Sequence, residues 1–138
     1  MVDIAQTVAN VHAWSGATVV LVQVEVAVEP GDWLYLDTIT LKHKLASGSI
    51  VAQAKVAGMA LSYGPEDTNY VAMCTAGDVD PGATLTIGGG PLIISSMAAG
   101  NFGPVSDLTA GEFGTVLGSQ IAADKFNIAI KVATVAFV

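Results

Sequence analysis

The stretch Val28-Glu29-Pro30-Gly31-Asp32-Trp33-Leu34-Tyr35-Leu36-Asp37-Thr38, "VEPGDWLYLDT", decides the reading of the fold. Its first half is a turn: Pro30 presets φ near −65°, and Gly31 supplies the positive φ that a type II turn needs next. Its second half is a strand, in which side chains alternate between faces. Trp33 and Tyr35 then share one face, and Leu34 and Leu36 the other. Both faces are apolar or aromatic, whereas an outer strand of a small domain has one wet face. Something must cover the second face.

On either side of this stretch the period of two continues. Val20, Val22, Val24, Val26 and Val28 fall on one side, with Gln23 and Glu25 opposite, which predicts a strand. "TITLKHKL" alternates again, with Ile39, Leu41, His43 and Leu45 against Thr40, Lys42 and Lys44. Further strands are expected at "VAGMALS", "YVAMCT", "TLTI", "LIISS", "TVLGSQIA" and "FNIAIKVATVAFV". "GDVDPGA" reads as a second Pro-Gly turn and "GGGP" as another reversal. The alanine-rich "ASGSIVAQAK" is the one place for a short helix, near residues 48–54. Short strands punctuated by 15 glycines predict an all-β fold, a small barrel or sandwich.

The chain has 138 residues, enough for one domain. Residues 17–138 read as a single β-rich domain. Residues 1–16, "MVDIAQTVANVHAWSG", have weak periodicity and scattered apolar side chains (Ile4, Val8, Val11, Trp14). They are expected to form an arm that is mobile in the free protein; the other reading is a first strand of the domain.

Hydrophobic residues make up 52% of the chain and charged residues 12%, against about 25% charged in a typical soluble domain. The most apolar run, "ATVVLVQVEVAV", carries Gln23 and Glu25 and falls short of the roughly 20 residues a spanning helix needs, so no membrane role is expected. With so few charges, part of the surface is expected to lie against other protein chains. The net charge of −7 and the absence of arginine argue against direct nucleic-acid binding. No basic segment precedes Lys42, so no secretory signal is read. The single cysteine, Cys74, excludes an intrachain disulfide and fits a reducing site of synthesis.

Chemistry-bearing motifs are sparse. His12 and His43 belong to no zinc-type spacing. Cys74 reads as a small buried hydrophobe without an activating base. Asp78, Asp80 and Gly82 form D-x-D-x-G, but Pro81 breaks the calcium-loop register. Gly88-Gly89-Gly90-Pro91 lacks the Lys-Ser/Thr of a phosphate loop. No catalytic, metal or cofactor site is expected. Trp14, Trp33 and Tyr35 are candidates for stacking on a sugar, or for packing in a core or interface.

Read in order, "DIAQTVANV", "PGDWLYLDT", "VAGMALSYG", "NYVAMCTAGDVDPGATLTIGG" and "LIISSMAAGNFGPVSDLTAGEFGTVLGSQIAADKFNIAIKV" resemble the capsid cement, or head decoration, proteins of tailed bacteriophages. The resemblance spans nearly the whole chain and is most specific from Pro104 to Lys131. "GGGPLIISS" departs from it, with Pro91 and Leu92 where relatives often carry a Gly-x-x-Tyr-type approach. The resemblance implies a β-tulip-like homotrimer, made in the host cytoplasm and not an enzyme. It would bind the major capsid protein on the outer surface of the expanded capsid, and so become part of the virion. Candidate capsid or subunit contacts are Ile4, Val8, Val11, Trp14, Trp33 and Tyr35, with the second face of "WLYL" covered by a sister subunit or the shell. Alternatives are a trimeric tail or fibre component and a carbohydrate-binding β module.

Overall fold

A computed structural model describes residues 3–65, 69–86 and 90–138. Among these residues ten strands run in chain order: β1 His12–Ala13, β2 Thr18–Gln23, β3 Trp33–Leu36, β4 His43–Leu45, β5 Val56–Ala60, β6 Tyr70–Asp80, β7 Pro91–Ile94, β8 Phe102–Pro104, β9 Val116–Ala122 and β10 Lys125–Lys131. The fold is all-β, and the helical content among the described residues is two single 3-10 turns, Val8–Asn10 and Val105–Asp107. One curled antiparallel sheet forms a half-barrel, in the order β4-β3-β5-β6-β10-β9-β7-β8, with β1 and β2 on the other side of β6.

Strand β6 is the hub. Its first half pairs with β2 on one side and β5 on the other; its second half pairs with β1 and β10. The partners change at Gly77, whose φ of 98° few other residues adopt. A Cβ there would lie 2.7 Å from the Ala17 Cα. The strand runs on to Asp80, through the first half of the stretch Gly77 to Ala83 expected as a turn, and bends at Gly82-Ala83.

The two faces of "WLYL" enter two different cores. Trp33 and Tyr35 belong to the larger one, with Met59, Cys74, Leu92, Phe102, Leu117 and Phe126. Leu34 belongs to the smaller one, with Val24, Val28, Ala60, Val71 and Met73. At Leu34 the second face is thus covered by the chain itself, whereas Leu36, further along that face, is 41% exposed. The cover comes from the segment after β2, where Val24 bridges His43 of β4 and Val28 bridges Gly64. Those bridges end β2 at Gln23, so the valine run expected as one strand is a strand followed by an inward-folded strap.

Two other expectations are corrected, and the one place allowed for a short helix holds a single turn. "TITLKHKL" is a tight turn until His43, because the Asp37 side chain accepts the N–H groups of Ile39 and Thr40 and bends the chain. Residues 48–54 make one hydrogen-bonded turn, closed by Gln53 and Ala54 onto the Ile50 carbonyl, too short to offset helix nucleation. Thr84–Thr86 of "TLTI" is irregular: Leu85 donates to Ala123 and Thr86 to the Gln120 side chain. Ile87 and the Gly88-Gly89 part of the expected reversal lie outside the described residues.

Trp33, Phe102 and Phe126 are fully buried, with ring centroids 6.0–6.5 Å apart in tilted and edge-on contacts. They join β3, β8 and β10, elements far apart in the chain. Phe126→Ala should therefore cost about 3–5 kcal/mol in urea unfolding, whereas Ile39→Ala, at a side chain 92% exposed, should leave the midpoint nearly unchanged.

Candidate functional site

The expected contact residues fall into two groups. Trp33 is fully buried and Tyr35 nearly so, which corrects their assignment as interface residues: their rings fill the core, and Tyr35 keeps only a small part of its surface, in the groove beside the β3–β4 tip. Ile4, Val8, Val11 and Trp14 lie on an N-terminal segment that is docked, not free. Ile4 N–H donates to the Phe102 carbonyl at 2.9 Å, Thr7 to Gly82 at 2.6 Å and Trp14 to Asp78 at 2.9 Å. Ile4 and Val11 pack against the larger core, and β1 pairs with β6. The expectation of a mobile arm gives way to its alternative, a first strand of the domain.

One amide holds the middle of this segment. Gln6 Nε2 donates to the carbonyls of Gly31 at 3.0 Å and Pro81 at 2.8 Å, so it ties together the two Pro-Gly turns. Trp14 is also engaged: its Nε1 donates to Asp124, His12 meets it edge-on at 4.6 Å, and the Lys125 ammonium sits 5.1 Å from its ring centroid.

Beneath the segment lies a cleft of about 270 Å³ where Asp3, Glu29 and Asp32 meet Asn101. Asn101 donates to Asp3 Oδ2 at 3.2 Å, and the Glu29 N–H donates to Asp32 Oδ2 at 2.9 Å. Burial pushes the Asp32 carboxyl up to about 6; the Glu29 N–H opposes that shift and the Glu29 charge adds to it. Elsewhere, burial holds the His43 imidazole below its ordinary range. Burial likewise raises the Cys74 thiol, which donates to the Ala76 carbonyl.

Two large apolar side chains stand in solvent at the tip between β3 and β4. Ile39 is 92% and Leu41 71% exposed. The tip is stiff. Asp37 takes the Ile39 N–H at 2.8 Å, its backbone pairs with Leu41 and Lys42, and its carboxylate meets Lys44 at 2.8 Å. The Lys44 ammonium bonded to Asp37 holds that carboxyl below its ordinary range, and the Lys44 pKa rises in return. Thr40 reaches Glu25 at 2.7 Å. Leu41 adopts φ 60°, a conformation costly for a branched side chain. Against the tip lies a groove of about 250 Å³, lined by Leu36, Ile39, Ile50 and Ala52 with Lys55 among them. Sequence reasoning missed this surface because the alternation of "TITLKHKL" matches a strand. The signal that could have found it is Asp37, whose side chain competes for the next two backbone donors.

A pre-set apolar projection beside a groove can insert into a complementary hollow at little ordering cost. Compared with known proteins, the chain matches no family model, no curated protein and no solved structure. Among the described residues no helix is long and apolar enough to cross a membrane.

Two outcomes follow from these groups. The Asp32 pKa is raised in the fold, so its share of stability is present below the ordinary value of 3.8 and is lost as pH rises through about 6. Asp32→Asn should therefore match the wild type in acid and exceed it above pH 6 by about 1–2 kcal/mol, discounted for the carboxyl's remaining contact with water; denaturant curves across pH measure this. At the tip, Leu41→Gly relieves the left-handed strain and loses little burial, so it should stabilise by up to about 1 kcal/mol, read as a higher melting temperature.

Proposed function

We propose that this protein is a capsid cement: a structural, non-enzymatic component that docks on the outer surface of an expanded phage capsid and braces neighbouring capsomers. The observation that carries the reading is the β3–β4 tip, where Ile39 and Leu41 stand in water on a rigid turn. Leaving them exposed brings no stability, and holding Leu41 left-handed costs about 1–2 kcal/mol. A protein retains such a feature where the side chains are buried against something else. The resemblance of the ordered segments to head decoration proteins supplies the kind of partner, the major capsid protein.

In this reading the tip is a central anchor of the shell contact, and the groove beside it receives an apolar side chain of the capsid lattice. The working unit is a homotrimer, which fits a chain with few charges. Three tips on one trimer make the second and third contacts intramolecular, so a weak single contact suffices.

Sedimentation with purified shells tests the proposal. The wild type should co-sediment with expanded shells and not with unexpanded ones. Ile39→Ser with Leu41→Gly should abolish retention while the melting temperature holds or rises. Retention of this double variant at the wild-type level, or no retention of the wild type on expanded shells, would overturn the reading.

A further inference from the structure

Strand β2 has one hydrogen-bonded side and one open side. It pairs with β6 from Thr18 to Gln23, and among the described residues no ladder runs along its other edge from Thr18 to Val22. Which backbone groups face outward follows from the residues just beyond. Val24 N–H points to Asn69 on the β6 side, whereas Glu25 N–H points to His43 on the opposite side. Backbone groups alternate along a strand, so the N–H and C=O of Val19 and Leu21 point away from β6. The register is regular over this span, its shift lying between Thr18 and Val19. The Gln23 carbonyl also faces outward and already meets the His43 ring, so the open edge ends there.

Beyond the irregularity between Thr18 and Val19, this edge lacks the devices that usually block strand addition. From Ser15 to Val24 the sequence "SGATVVLVQV" has no charge and no proline, in a chain of net charge −7. Val19, Val20 and Leu21 are 46%, 40% and 74% exposed. Tyr70, opposite Gln23 in the ladder and on the same face as Leu21, is 65% exposed.

We propose that β2 pairs with β2 of a second copy of this chain, antiparallel about a two-fold axis through Val20. The register follows from the outward groups: Val19 and Leu21 of one copy exchange N–H···O=C bonds with Leu21 and Val19 of the other. Val20 then faces Val20, and Thr18 faces Val22. The paired span, Thr18 to Val22, holds no charged residue, so no like charges oppose each other. An acidic chain repels its own copies over most of its surface, and this uncharged band is where two can approach closely. A two-fold contact is self-complementary. It is separate from any three-fold association and does not rest on the capsid reading.

Disulfide trapping reads the register directly. In the two-fold pair the Val20 positions form a non-hydrogen-bonded pair with Cα atoms about 4.5 Å apart, within disulfide reach. The two Thr18 positions are about 14 Å apart, at about 3.4 Å per residue. Native Cys74 is fully buried, so the full-length chain serves as background. Under mild oxidation Val20→Cys should run as a linked pair on a non-reducing gel, and Thr18→Cys as a single chain. By light scattering, Leu21→Lys should halve the wild-type mass, with an unchanged circular dichroism spectrum. A Val20→Cys protein that links no better than Thr18→Cys, or a Leu21→Lys protein of wild-type mass, would overturn the proposal.

Discussion

The structure depends on strands β3 and β6 burying side chains on both faces at their centres. β6 alternates Val71 and Met73 into the smaller core with Cys74 and Val79 into the larger, and β3 does the same with Leu34 against Trp33 and Tyr35. A two-faced wall of this kind cannot stand at the edge of a sheet or alone. It forces the chain to supply a layer on each side, and a single curled sheet does so by folding its two halves over opposite faces of the wall. β5, between them, is tight against β6: a Cβ on Gly58 would lie 2.4 Å from the Cys74 carbonyl, which fixes how closely the strands nest.

That demand explains features that look unrelated along the chain. The strap from Val24 to Val28 leaves its ladder to close the smaller core. The aromatic trio, drawn from β3, β8 and β10, closes the larger one. The two Pro-Gly turns end up side by side because β3 and β6 are cross-linked through β5, and the Gln6 amide then satisfies two carbonyls that reversals leave without ladder partners. The N-terminal segment is ordered by these ready-made acceptors more than by its own modest apolar content.

Much of this was legible in the residues. The period of two, the positive-φ glycine after Pro30 (φ 95° at Gly31) and the two apolar faces of "WLYL" all point to an all-β fold with an unusually buried strand. What covered the second face was not legible, because alternation reports that a face is dry and not which atoms dry it; a valine strap and a sister subunit leave the same pattern. The docked N-terminal segment was hidden for a related reason. Its partners are backbone carbonyls of turns, which leave no trace in hydrophobic periodicity. The β3–β4 tip was misread because Asp37, a local hydrogen-bond competitor, overrides a pattern that by spacing alone favours a strand. Of the expected contact residues, Trp33 and Tyr35 are large aromatic side chains on one face of a strand that is apolar on both. Size in a chain this apolar signals core.

Exposed apolar side chains lie along β2, at the β3–β4 tip and at Ile50, Val51, Tyr63 and Tyr70, and also at Met97, Val105, Ile121 and the C-terminal residues. The larger core absorbs its aromatics completely. Charge follows the opposite logic at the tip. Lys44 meets Asp37 and Glu25 at 2.8 and 3.5 Å, and such exposed pairs add little stability. Their effect is geometric, since they hold the turn that points Ile39 outward and neutralise charge next to it. A surface whose charges are paired off, stiff and apolar at its tip within an acidic protein discriminates by contrast. Partners are repelled or solvated elsewhere and retained there, and over a Debye length of about 8 Å at physiological salt that contrast acts across individual strands and turns.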